Sequence, residues 1–249
     1  MSAADHEIKA NSESFRHGLG PKFAENITLI TSLNATKLDQ AYSRLTSLQA
    51  WRAFVLETQL SKQALGFFSE AQNDGLTSSA LMATGLWRSA MKSLRSLIEN
   101  LLHCLYFADH PVEYRLWDSG NFRPTFKELF DYFIAHPDIR DLPASLNAAV
   151  GLKGHYKHLS NVVHSSAREF RMTDEVDKLK LWDTTTAGVG KWSATHVNVL
   201  RDVNLLLATI FFQHIQGATN KGLREALALA IPSSKDTPLK DALGITVVR

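Results

Sequence analysis

Apolar residues recur at three- and four-residue intervals from Leu38 onward: Leu38, Tyr42, Leu45, Leu48, Trp51 and Val55 form one stripe, which Leu60, Ala64, Phe67 and Phe68 continue. That spacing predicts an amphipathic helix. Asn73-Asp74-Gly75 sets two turn formers before a residue that tolerates positive φ, and predicts the end of the run. A second helix is predicted over about 78–107, with Trp87, Met91, Leu94, Ile98, Leu101 and Leu105 on one stripe. Its second half adds Leu97, Leu102, Cys104, Tyr106 and Phe107 around the circumference, so burial on most sides is expected there. Asp109-His110-Pro111 ends it, because proline disfavours helical geometry in the residue before it.

Thr125-Phe126-Lys127-Glu128 matches a capping box and opens a short helix with Phe126, Leu129, Phe130 and Phe133 on its apolar face, closed by His136-Pro137. Pro143 suits a first helical turn, and a helix is expected from there through Leu146, Val150, Leu159 and Val163, weakened in its middle by Gly151 and Gly154. The stretch 170–191 is ambiguous. Ser193 then caps a long helix through Val199, Val203, Leu206, Ile210 and Phe211, ending near Gly217, whose all-round apolar character makes it the expected post of the core.

Alternating strand patterns and two-residue hairpin turns are almost absent, which predicts an all-α fold: a helical bundle with a long buried C-terminal core helix. Residues 1–20 are polar, end in Gly18-Leu19-Gly20-Pro21, and read as a flexible arm; 21–230 read as one helical domain; 231–249 read as a mobile or partner-bound tail.

Composition narrows the function classes. A chain of 249 residues with 45% apolar content can fill a sizeable core, and 27 basic against 25 acidic residues leave no sequence-wide footprint for a polyanion. The single cysteine, Cys104, excludes an internal disulfide framework and reads as a buried apolar residue in a reducing compartment. No leader-like opening and no run of about 18 uncharged apolar residues is present, so a cytoplasmic protein without a membrane partner is expected. Cysteine pairs, His-Glu-x-x-His, a glycine-rich phosphate loop and a nucleophile elbow are all missing, and no cofactor is expected. His155 and His158, three apart, lack an accompanying acidic or sulfur ligand, so no metal site is expected.

Two helical segments carry polar chemistry that patterning does not explain. Arg95 and Glu99 are four apart in the apolar half of their helix, and buried charges need partners, so they are expected to pair with each other and with groups from a neighbouring helix. A polar pocket and a structural ion pair are equal alternatives. In the second segment Lys157, Asn161 and His164 share one face, while Tyr156 and Ser160 occupy the adjacent stripe. His164 can exchange a proton near neutral pH and Lys157 can hold an anionic oxygen; the alternative for His164 is a role at the helix end.

The pattern Arg95-x-x-x-Glu99, followed by Tyr156-x-x-Leu159-Ser160-x-x-x-His164, resembles bacterial helical proteins of the HEPN superfamily over about 85–170 plus the later core helix. The resemblance implies a bundle with a core at about 78–217, often homodimeric, whose catalytic members are metal-independent ribonucleases of toxin-antitoxin and phage-defence systems. Such members carry an arginine and, after four to six intervening residues, a histidine; here six residues lie between Lys157 and His164, so the spacing matches but lysine stands in place of arginine. On this basis His164 is the expected acid-base group, Lys157 or Arg95 holds the phosphate of RNA, Glu99 orients Arg95, and Tyr156, Ser160 and Asn161 position the substrate. The competing expectation is a noncatalytic interaction subunit bound to an antitoxin or defence-complex protein.

Overall fold

The computed structural model describes residues 3–164 and 181–249. Helix α1 spans Ala3–Trp51, with one departure from helical geometry at Asn34 (φ −134°, ψ 21°). The stretch 3–20, expected as a flexible arm, is thus helical, and Pro21 lies inside a helix instead of preceding one. Phe23, Asn26 and Ile30, which reach the body of the protein, anchor the helix beyond a proline whose local cost is about 3 kcal/mol. A π turn over Arg52–Leu56 and the short α2, Glu57–Gln59, then reach extended Leu60. The Ser61 side chain caps α3, Lys62–Ala83, by accepting from the Ala64 N–H at 3.2 Å.

Helix α3 passes straight through Asn73-Asp74-Gly75, where an end was expected. Packing overrides the turn preference: Asn100 Nδ2 donates to Asp74 at 2.8 Å, and a Cβ on Gly75 would lie 2.6 Å from Leu45 Cδ2. Glycine here permits close helix approach. The turn falls instead at Gly85 (φ +86°), so residues 78–83 belong to α3 and the next helix, α4, is Trp87–Asp109.

Helix α5 spans Pro111–Asp118, and α6, Phe126–Ala135, opens with the expected capping box: Thr125 N–H donates to Glu128 Oε2 at 2.7 Å and Thr125 Oγ1 accepts from Glu128 N–H at 3.3 Å. After α7, Pro137–Arg140, helix α8 runs Ala148–Val163. Its cap is Asn147, whose carbonyl oxygen takes the Val150 N–H, so Pro143 stays outside the helix. Helix α9, Thr186–Ile210, starts earlier than expected because Thr185 caps it by accepting from Gly188 N–H; Ser193 is interior. Part of the ambiguous stretch, 170–180, lies outside the described residues. Helices α10, Lys221–Ala230, and α11, Asp236–Leu243, complete the chain.

No strand occurs among the described residues, and the fold is an all-α bundle. Helices α3 and α4 form a hairpin, α1 and α8 pack on α9, and one apolar core runs from Ile30 to Val247. Val199, Leu200, Val203, Leu206 and Leu207 of α9 are fully buried. The segment expected as a mobile tail is packed: Ile245 and Val247 are buried, and Arg249 pairs with Asp236 at 2.7 Å and donates to the Ile231 carbonyl at 2.9 Å. Its hydrophobic residues, too few to give a periodic signal, find their cover against α10 and the buried Arg224, which donates to the Thr246 carbonyl.

On α9, His196 is wholly buried beside Trp192, and neither ring nitrogen has a partner. Burial, reinforced by the Arg44 charge, pushes its pKa down to about 3. The folded state therefore holds neutral imidazole while the unfolded chain takes up a proton below the ordinary histidine value. Stability should be unaffected above that value and fall by about 2 kcal/mol between pH 7 and pH 5. Denaturant titrations at the two pH values check this, and His196→Leu should flatten the dependence.

Candidate functional site

Helix α4 is apolar nearly all round in its second half, and Arg95 and Glu99 break that surface on the side facing α6 and α8. Arg95 Nη2 lies 2.8 Å from Glu99 Oε1 and donates to Tyr156 Oη at 2.7 Å, while Tyr156 Oη donates to Glu99 Oε1 at 3.1 Å. The guanidinium carbon is 4.9 Å from the Tyr156 ring centroid, and Phe126 and Phe130 of α6 pack on the same ring. The expected pairing with a neighbouring helix is present, and its partner is Tyr156.

This triangle is largely shut. The Arg95 and Glu99 side chains are 26% and 21% exposed, and Arg95 Nε is buried without a partner. Burial raises the Glu99 pKa, against the opposing pull of Arg95 and the Tyr156 hydroxyl. Burial likewise raises that of Tyr156, where the hydrogen bond from Arg95 acts in the opposite direction. A hydroxyl fixed between a guanidinium and a carboxylate holds two helices in register; its donors and acceptors point at one another.

The remaining candidates lie elsewhere on α8. Lys157, Asn161 and His164 are exposed and share the outer face, and Ser160 is half-buried. His164 is the C-cap residue, its N–H donating to the Ser160 carbonyl at 3.0 Å. It lies eight positions after Tyr156, about 12 Å along the helix. Within one chain, then, Arg95, Glu99 and Tyr156 come together, and Lys157, Asn161 and His164 form a separate row. Ser165 and Ser166, which follow His164 in the sequence, lie outside the described residues.

Two further contacts position α8. Arg88, on the first turn of α4, donates from Nε to the Val162 carbonyl at 3.1 Å and from Nη2 to the Val163 carbonyl at 2.7 Å, satisfying acceptors that the helix end leaves unpaired. Near the middle of α8, Asp202 of α9, 4% exposed, accepts from His155 at 3.0 Å and from Arg201 Nε at 2.6 Å. Those hydrogen bonds keep the Asp202 carboxyl below its ordinary pKa although burial acts the other way. Sequence reasoning missed both; the one available signal was an aspartate inside an otherwise apolar helix. Gly151 makes room for this carboxylate, since a Cβ there would clash with Asp202 Oδ2.

No family model, no curated protein and no solved structure matches this chain. The site must be read from its own geometry. Among the described residues no cluster of three or more histidine, cysteine or acidic side chains is placed to hold a metal, and no helix is long and apolar enough to cross a membrane. Cys104 is buried, which pushes its thiol up to about 12 and leaves no thiolate for nucleophilic chemistry at neutral pH.

The two α8 glycines separate these effects. Gly151→Ala should destabilise by about 1–3 kcal/mol because Asp202 must move, whereas Gly154→Ala, with nothing within 4 Å of the added methyl, should stabilise by about 0.5–1 kcal/mol. Urea denaturation of the two variants measures both.

Proposed function

We propose that the chain is a metal-independent RNA-cleaving effector of a bacterial toxin or phage-defence system, acting through the outer face of α8. The observation that carries this reading is that Lys157 and His164 are exposed on one face of α8, a cation and a proton-transfer group on the same strip. The resemblance of the Tyr156–His164 segment to HEPN proteins supports it. His164 takes the proton of a ribose 2′-hydroxyl as its oxygen attacks the adjacent phosphorus; a 2′,3′-cyclic phosphate forms and the 5′-oxygen leaves. Lys157 stabilises the negative charge that grows on the phosphate oxygens. The leaving oxygen needs a proton from a second group, which the partner subunit's His164 supplies when two α8 faces meet about a two-fold axis.

Arg95, Glu99 and Tyr156 act in this scheme as positioning residues. Arg95 Nη2, Tyr156 Oη and Glu99 Oε1 are engaged with one another, and they hold the inner face of α8 so that the outer face is presented as a rigid strip.

A second reading, a noncatalytic interaction subunit, is favoured by a different observation. Tyr42, Phe54 and Leu76 are 61%, 47% and 50% exposed and line an apolar groove of about 450 Å³ between α1 and α3, on a part of the surface that the RNA reading does not use.

One assay decides between them. His164→Ala should reduce cleavage of a mixed-sequence RNA at least about a hundredfold with an unchanged melting temperature, Lys157→Ala should weaken cleavage, and a chelator should have no effect. Cleavage by His164→Ala at the wild-type rate would remove the catalytic assignment. Wild-type protein without nuclease activity would leave the interaction reading.

A further inference from the structure

None of the hydrogen bonds of Arg201 joins α9 to another helix. The side chain is half-buried, and its bonds stay on α9: Nε donates to Asp202 Oδ1 at 2.6 Å, Nη2 to Asp202 Oδ2 at 3.0 Å and Nη1 to Asn198 Oδ1 at 2.9 Å. A guanidinium carries five N–H groups in one plane, so two are unspent, one on each terminal nitrogen.

Arg201 lines a cavity of about 410 Å³ enclosed by the chain before α8, the first turn of α8, α9 and the half-buried Lys235 of the 3₁₀ turn Ser233–Lys235. Lys235 Nζ donates to the Ser145 carbonyl, which leaves two ammonium protons unspent. Asp202 lines the same cavity and is 4% exposed. Both of its oxygens are bound, by Arg201 and by His155, and Gly151 admits the carboxylate where a larger residue would clash. A buried ion pair contributes little net stability, and this one joins adjacent residues of one helix. Its effect is to fix the guanidinium plane on the cavity wall.

The lining points to a ligand class. Two cations against one carboxylate give it a net charge of +1, and much of the remaining wall is small and apolar, with Ala148, Val150 and Leu205. Four unspent charged donors suit a phosphate group, whose three terminal oxygens accept more hydrogen bonds than the two of a carboxylate. The volume lies within the range of small-molecule sites, about 300–1,000 Å³, and forms a single recess, whereas a nucleic-acid strand tracks along a basic groove.

We propose that this cavity binds a small phosphorylated molecule: Arg201 and Lys235 hold the phosphate, and Ala148, Val150 and Leu205 take a compact apolar body. The site uses none of the residues assigned to RNA cleavage and stands without that reading.

Isothermal titration calorimetry of the full chain with phenyl phosphate, inorganic phosphate and benzoate tests it. Phenyl phosphate should bind more tightly than inorganic phosphate, which lacks the apolar body, and more tightly than benzoate, which lacks the third oxygen. Lys235→Gln should weaken phenyl phosphate at least about tenfold, the loss for one charge-assisted hydrogen bond. Its melting temperature should be unchanged, because the one hydrogen bond it gives up is to an exposed carbonyl. Arg201→Lys keeps a cation beside Asp202, removes the planar fork, and should weaken binding by a similar factor. A wild type that binds neither phosphate would overturn the proposal, as would binding that Lys235→Gln and Arg201→Lys leave unchanged. Benzoate bound as tightly as phenyl phosphate would overturn the phosphate assignment. A short single-stranded RNA whose binding both variants weaken, with no binding of phenyl phosphate, would give the cavity to RNA and overturn the small-molecule assignment.

Discussion

Enclosure of α9 is the constraint from which the rest of the molecule follows. A helix apolar nearly all round must be surrounded, and hydrophobic burial alone does not say which neighbour lies where or in what register. Buried polar groups do. Trp192 Nε1 donates to Ser78 Oγ of α3 at 2.9 Å, and Ser78 in turn donates to the Ala90 carbonyl of α4. Trp51 Nε1 at the end of α1 donates to Asn204 Oδ1 at 3.0 Å, and Asp202 takes His155 of α8. Each neighbour is thus pegged by a group that would be left unsatisfied, at a cost of about 1–3 kcal/mol, if its helix slid along the post.

Helix α8 inherits its orientation from these pegs. Asp202 holds its N-terminal half, the Arg95–Glu99–Tyr156 triangle holds its middle, and Arg88 closes its end. All three act on the inner face. The opposite side carries Lys157, Asn161 and His164, which face outward. Charge is therefore divided by depth: the pairs that fix structure are inside or half-covered, and Lys157 on the outer face of α8 is exposed.

Much of this was legible in the sequence and some was not, for physical reasons that differ by element. The α6 capping box was readable because both of its hydrogen bonds are local, and the Arg95–Glu99 pair because an i, i+4 spacing in an apolar helix demands partners. Tyr156 as the third member was marked as a positioning group, but its contact with α4 is a tertiary fact. Asn73-Asp74-Gly75 misled because its local preference for a turn is overridden by packing against Leu45 and Leu97. The α1 arm misled because glycine and proline lower helix propensity without stating what a whole helix gains from its neighbours. His155, Asp202 and Gly151 were unreadable as a unit: they meet only once α8 lies on α9, and an isolated glycine in a helix does not announce which atom will occupy the space beside it.

The central claim is that the Arg95–Glu99–Tyr156 triangle acts as one structural unit joining α4 to α8. A double-mutant cycle on Glu99→Gln and Tyr156→Phe, followed by equilibrium unfolding in urea, measures this most directly. Both single variants should be destabilised, and the pair should show a coupling energy of about 0.5–3 kcal/mol, the range for residues in direct contact within one hydrogen-bonded network. Single variants of wild-type stability, or losses that simply add, would contradict the account.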